Sequence, residues 1–108
     1  MSPIGVSKTP ISVINVITVS PQLQETMVKA AEQMLHQVMR RLPGFLSAAV
    51  YRSLDERRVT IHAQWESADA FNRASRNPGV ISQMRAFLEI AQLEWHVYER
   101  VYSTTASV

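Results

Sequence analysis

A chain of 108 residues, 46% of them hydrophobic, makes one domain with a real core, too short for two and too apolar for disorder. Its formal charge of +2 comes from basic residues scattered along the sequence, so there is no concentrated stripe of the kind that binds nucleic acid. The lack of cysteine excludes disulfides, thiolate metal sites and a cysteine nucleophile; no apolar run reaches the roughly 18 residues of a membrane span, and no secretory signal opens the chain, so a cytoplasmic protein is expected.

Residues 1–10, MSPIGVSKTP, are rich in proline and small polar residues and read as a loose arm before a single domain over 11–102. ISVINVITV, from Ile11 to Val19, is a β-branched run too continuous for a solvent-facing edge, and reads as a central strand. Asn15 shares a face with Val13 and Ile17. An amide there must find hydrogen bonds or cost about 1–3 kcal/mol, so it is either satisfied locally or kept for a ligand.

Ser20 and Pro21 have the form of a helix cap and first helical residue. Leu23, Met27, Ala30, Ala31, Met34 and Val38 then recur at spacings of three and four, one apolar stripe for the core. Arg40 and Arg41 are expected to close the helix at its negative end, and His36 to lie on the surface.

The segment from Pro43 to Ser67, PGFLSAAVYRSLDERRVTIHAQWES, carries most of the information. Pro43 and Gly44 end the preceding helix, and a strand begins at Phe45. Simple alternation sets Phe45, Ser47, Ala49 and Tyr51 on one face and Leu46, Ala48, Val50 and Arg52 on the other. A polar turn, Ser53 to Arg57, leads to a second strand with Val59, Ile61, Ala63 and Trp65 on one face and Thr60, His62, Gln64 and Glu66 on the other. Ser67 caps a short helix running to Arg76, Asn77–Pro78–Gly79 break it, and a further helix carries Val80, Met84, Phe87, Leu88 and Ala91 with Arg85 beside the stripe. Leu93 to Tyr102 is the last strand, and 103–108 a frayed tail.

Strand, helix, strand, strand, broken helix, strand is the split βαβ order of a ferredoxin-like α+β domain with a four-stranded antiparallel sheet. Helices cover one face. The other would carry Ile14, Val16, Leu46, Ala48, Val50 and Tyr98, more apolar surface than a soluble monomer usually exposes, and a homodimer pairing these sheet faces is expected. His36, His62 and His96 show no metal-ligand spacing, and neither a Gly-rich phosphate loop nor a GxSxG elbow is present.

PGFLSAAVY, followed about a dozen residues later by AQWES and a helix, resembles the antibiotic biosynthesis monooxygenase superfamily. These are dimeric α+β barrels that include cofactor-independent oxygenases of aromatic polyketide tailoring. The resemblance spans residues 11–102. It implies a pocket between sheet and helices with Asn15, Trp65 and Arg85 as the catalytic set, Tyr51 as a wall, and Ile61, Phe71 and Met84 as substrate-binding lining. Related oxygenases carry an asparagine where this chain has Ile61, and a tyrosine where it has Phe71, so the implied pocket is unusually apolar. The implied activity is oxidation of a planar aromatic polyketide of anthrone or hydroquinone type, with molecular oxygen as co-substrate and no metal or organic cofactor. A non-oxidative polyketide cyclase or a ligand-binding dimer of the same fold is the alternative. A haem-degrading monooxygenase is a lesser one, because residues 68–91 lack the histidine that activity implies.

Overall fold

The computed structural model describes residues 9–107; residues 1–8 of the expected arm and residue 108 lie outside the described residues. Strand β1 (Ile11–Thr18) is followed by helix α1 (Gln24–Gln37), strands β2 (Phe45–Arg52) and β3 (Arg58–Trp65), helices α2 (Ala68–Ala74) and α3 (Pro78–Leu88), and strand β4 (Gln92–Tyr98). The sheet has four strands in the order β2-β3-β1-β4, every neighbouring pair antiparallel, which is the ferredoxin-like arrangement.

The core lies between the helices and one face of this sheet. Val13 and Ile17 of β1 and Val59, Ile61, Ala63 and Trp65 of β3 are buried against Met27, Ala31 and Met34 of α1 and Val80 and Phe87 of α3. The alternation in β3 and the three-and-four spacing in α1 are the physical origin of that contact, since each element buries one side only.

Ser20 makes no side-chain cap. A single 3-10 turn over Pro21–Leu23 leads into α1 instead, and Gln24 is buried and donates through Nε2 to the carbonyls of Ser53 and Arg58, each at 3.0 Å. One amide thereby ties the start of α1 to both ends of the β2–β3 turn. At the other end α1 stops at Gln37, and Arg40 and Arg41 belong to a 3-10 turn, from which Arg40 Nε donates back to the His36 carbonyl at 2.8 Å. Asn77–Pro78–Gly79 is the start of α3 rather than a gap before it. The Asn77 side chain accepts from the amides of Gly79 and Val80, and Pro78 takes the first helical position, where its missing N–H costs nothing.

Strand β2 departs from simple alternation. Phe45 pairs with Trp65, but Ser47 pairs with Gln64, so Leu46 is an extra residue in the ladder and the phase shifts behind it. Ala48 and Val50 therefore lie opposite Ala63 and Ile61 and pack against the core, while Ser47, Ala49 and Tyr51 share the uncovered face with Gln64, His62 and Thr60. The apolar face expected from the sequence thus loses Ala48 and Val50 and gains Tyr51. Strand β4 also ends earlier than expected: the residues from Glu99 to Tyr102 have no regular structure, and Val101 and Tyr102 are exposed.

Gly44 has φ +86°, a left-handed conformation, and a Cβ built on it would overlap the Cβ of Ala70. Its carbonyl accepts from the Glu66 amide at 2.8 Å. Glycine is needed here for both reasons, and the contact seats the start of α2 on the start of β2.

Candidate functional site

A cavity of about 360 Å³ lies between the helix-facing side of the sheet and helices α2 and α3. Its inner wall is β1 and β3, with Asn15 between Val13 on its own strand and Ile61, its register partner, on the next. Trp65 closes one end, fully buried. The remaining wall is almost wholly aliphatic, aromatic or thioether: Met34 and Met39 from the α1 region, Met84 from α3, Phe71 from α2 and Trp95 from β4.

An aromatic series runs through this space. Phe45 meets Trp65 edge to face with centroids 5.3 Å apart, Trp65 lies 6.1 Å from Phe71, and Phe71 meets Trp95 edge to face at 5.6 Å. Such spacings are those of favourable aromatic pairs, so the rings hold one another in place. Trp95, opposite Asn15 on the β1–β4 ladder and 50% exposed, forms part of the mouth. Its importance was readable from the alternation of β4, which puts Trp95 on the same face as Leu93, but no motif marks it.

Two polar atoms on this wall are without partners. Asn15 Oδ1 and Trp65 Nε1 are buried and make no hydrogen bond among the described residues. A buried polar group left unpaired costs about 1–3 kcal/mol, and natural structures keep few of them. The amide can turn end for end and present its NH2 in place of its oxygen. As placed, the amide oxygen is an acceptor and the indole N–H a donor, at separate points of the wall, because Asn15 is paired with Ile61 and Trp65 with Ile11 four residues further along the ladder.

The sequence-derived set is largely brought together: Asn15, Ile61, Trp65, Phe71, Met84 and Arg85 all line the cavity. Tyr51 does not. The phase shift at Leu46 turns it onto the uncovered face beside Thr60, 55% exposed, where it cannot be a cavity wall. Arg85 lines the cavity but is exposed, so it stands at the rim, and among the described residues it is the only ionisable side chain in the lining. No histidine lines the cavity. His62 and His96 flank Ile14 on the opposite face, and His36 borders a separate hollow of about 690 Å³ between α1 and β2. That hollow is larger but opens broadly to solvent, and its rim of Glu32, Gln33, Gln37 and Arg40 gives an apolar ligand little enclosure. Among the described residues no group of three or more metal-ligating side chains comes together, and no helix is long and apolar enough to cross a membrane.

The model of the antibiotic biosynthesis monooxygenase family matches residues 10–89. The chain is 31% identical over 78 residues to the tetracenomycin-F1 monooxygenase of Streptomyces glaucescens, a match covering 72% of this chain and 70% of that protein. In three dimensions it is similar to the monooxygenase from the gene ActVA-Orf6 of Streptomyces coelicolor, solved with nanaomycin D, with a TM-score of 0.82, 21% identity and coverage of 98% of this chain and 100% of that one. It is also similar to SnoaB, a cofactor-independent oxygenase from Streptomyces nogalater, with a TM-score of 0.71, 22% identity and coverage of 88% and 96%.

Proposed function

Because the chain belongs to the antibiotic biosynthesis monooxygenase family, we propose that it is a cofactor-independent oxygenase that oxidises a planar polycyclic phenol of anthrone or hydroquinone type, with molecular oxygen as co-substrate. One observation carries this reading: Asn15 and Trp65, two lining residues of a largely apolar cavity, each bury a polar atom that has no hydrogen-bond partner among the described residues. A phenolic O–H brought to this wall supplies the donor that the Asn15 oxygen lacks.

The chemistry asks little of the wall. An anthrone that loses a proton from its CH2 carbon is an electron-rich enolate, and it passes one electron to oxygen. The resulting radical and superoxide join as a hydroperoxide once a proton is taken up, and loss of water leaves the quinone. The balance is one CH2 and one O2 consumed, one C=O and one H2O formed. The wall carries no carboxylate or histidine, and a guanidinium is not a base. Ionisation thus falls to the substrate's own acidity and to solvent, while Asn15 and Trp65 N–H groups favour the ionised form and the enclosed space excludes competing water. Trp65 and Phe71 hold the ring by stacking or edge contact.

The paired working form is a homodimer joined through the uncovered sheet faces. Ile14 and Val16 sit on that face with Tyr51 and Tyr98, both of which are largely exposed in the single chain. The pairing of Asn15 with Ile61 favours one other reading, a polyketide cyclase or ligand-binding dimer, since a single amide remains on that part of the wall.

Oxygen uptake by the purified protein over a panel of anthrones, under air and under nitrogen, tests the proposal. Saturable uptake with quinone formed only under air is the expected result. Binding without uptake replaces oxidation by the cyclase or carrier reading.

A further inference from the structure

Three methionines line the cavity: Met34 from α1, Met39 from the 3-10 turn that follows it, and Met84 from α3. Met27, the fourth among the described residues, is wholly buried in the core and is not part of the lining. We propose that Met84 is an oxidation site of this protein, taking an oxygen atom from an organic hydroperoxide held in the cavity. The inference rests on the reading of this cavity as a site of oxidation for the source of the hydroperoxide, and goes beyond it in what the protein itself undergoes.

The chemistry leaves a hydroperoxide on the ring carbon two exits. Loss of water gives the ketone. Transfer of its outer oxygen to a thioether breaks the O–O bond instead, so that one hydroperoxide and one thioether become one secondary alcohol and one sulfoxide. Among the described residues the lining holds no histidine or phenol, and the chain holds no cysteine, so the thioethers are the soft nucleophiles on this wall.

Burial separates the three. Met34 is 2% exposed and Met39 7%, both within the hydrophobic core cluster. A sulfoxide is polar, and its oxygen would there lie among apolar side chains with neither a donor nor water. Met84 is only partly buried: it packs against that cluster, yet its neighbours one turn to either side on α3, Ile81 and Leu88, are both exposed. It thus meets a ligand on one side and lies beside solvent on the other. The consequence is wear, because a sulfoxide replaces a flexible apolar stretch of wall with a polar one, and methionine sulfoxide reductases can reverse it. The number of turnovers one molecule completes is then set by how often oxygen transfer outruns loss of water.

Two arms test this on the intact protein, with each methionine followed by peptide mass mapping. In the first, cumene hydroperoxide, an apolar aromatic hydroperoxide, is added under nitrogen with and without anthraquinone, a flat ligand that fills the cavity without reacting. Met84 should gain one oxygen about tenfold faster than Met34, Met39 or Met27, and anthraquinone should suppress the gain. In Met84→Leu the oxygen should not pass to Met34 or Met39. Oxidation spread evenly over the four methionines, or a gain at Met84 that anthraquinone leaves untouched, overturns the inference.

In the second arm an anthrone is supplied in air, with catalase present to remove free hydrogen peroxide. Sulfoxide at Met84 should accumulate with the oxygen consumed, anthraquinone binding should weaken in step, and a methionine sulfoxide reductase should restore it. Oxygen uptake that leaves Met84 unmodified overturns the inference and leaves the proposed oxidation standing. No uptake at all overturns the oxidation, and the first arm alone then decides whether Met84 is the site.

Discussion

Asn15 and Ile61 are register partners on neighbouring strands, so the amide on the cavity wall has an aliphatic side chain beside it. Its buried oxygen finds no partner, and this makes stability and function pull in opposite directions at one residue. Asn15→Leu should raise stability by about 1–3 kcal/mol by removing an unpaired buried group. Oxygen uptake should fall by roughly a hundredfold to a thousandfold, the scale set by losing one oxyanion donor in other enzymes. Chemical denaturation and uptake on the same preparation measure both. A variant that is neither more stable nor less active would show that the amide is satisfied and idle.

The pH profile of turnover follows from the missing base. With no carboxylate or histidine on the wall, the rate of oxygen uptake should rise with pH as the substrate ionises and then level off. Substrates whose phenols differ in acidity should move the inflection by the same amount, and His62→Ala and His96→Ala should not move it. An inflection that stays fixed across substrates would mean that a protein group takes the proton.

The uncovered face can be separated from the core by two substitutions. Ile14→Glu places charge at the centre of the proposed seam and should yield monomer or aggregate in light scattering, with little change in the fold of the single chain. Val50→Glu, on the helix side of β2, should instead lower the unfolding midpoint. A fully dimeric Ile14→Glu protein would rule out this face as the interface.

Gly44→Ala combines an unfavourable left-handed backbone with a collision against Ala70, and should cost about 2–5 kcal/mol, the sum of the two effects. Urea unfolding reads this directly. A loss below about 1 kcal/mol would show that α2 moves aside freely.

At the β2–β3 turn, the Asp55 carboxyl accepts from Ser53 Oγ at 2.6 Å and from the Arg57 amide at 3.0 Å, and pairs with Arg58 Nη1 at 2.8 Å. The Ser53 hydrogen bond first, then the Arg57 amide and Arg58, hold its pKa below the ordinary carboxylate value of 3.8. A depressed carboxyl stabilises the fold fully above its unfolded value and ceases to do so as pH falls through its folded value. Asp55→Asn should therefore be the less stable protein near neutrality, with the gap closing only in acid below about pH 3.8. A gap that is the same at every pH would assign the effect to turn geometry instead of charge.

Periodicity was a sound guide where one face of an element meets the core. It gave the faces of β1 and β3, hence Asn15 and Trp65 on the cavity wall, and the stripe of α1. It failed where one extra residue breaks the count: the bulge at Leu46 carries no glycine or proline to announce it, and it moved Ala48, Val50 and Tyr51 to faces opposite those expected. Gln24 was missed because its value lies in two distant carbonyls, and Trp95 because an edge-strand aromatic gains meaning only when α2 brings Phe71 against it. The rim position of Arg85 depends on where α3 ends, which helical spacing alone does not fix.

The bulge at Leu46 also bears on how this cavity can be re-engineered. Phe45, in front of it, holds Trp65, while Ala48 and Val50 behind it back the strand that carries Ile61. Deleting Leu46 would keep every chemical group the site uses and still force a choice between losing the Phe45–Trp65 contact and inverting the rest of β2. Chain length near this point is therefore under tighter constraint than side-chain identity. Libraries meant to change what the cavity accepts should vary residues such as Ile61, Phe71, Met84 and Trp95, and leave the number of residues between Gly44 and Ser53 untouched.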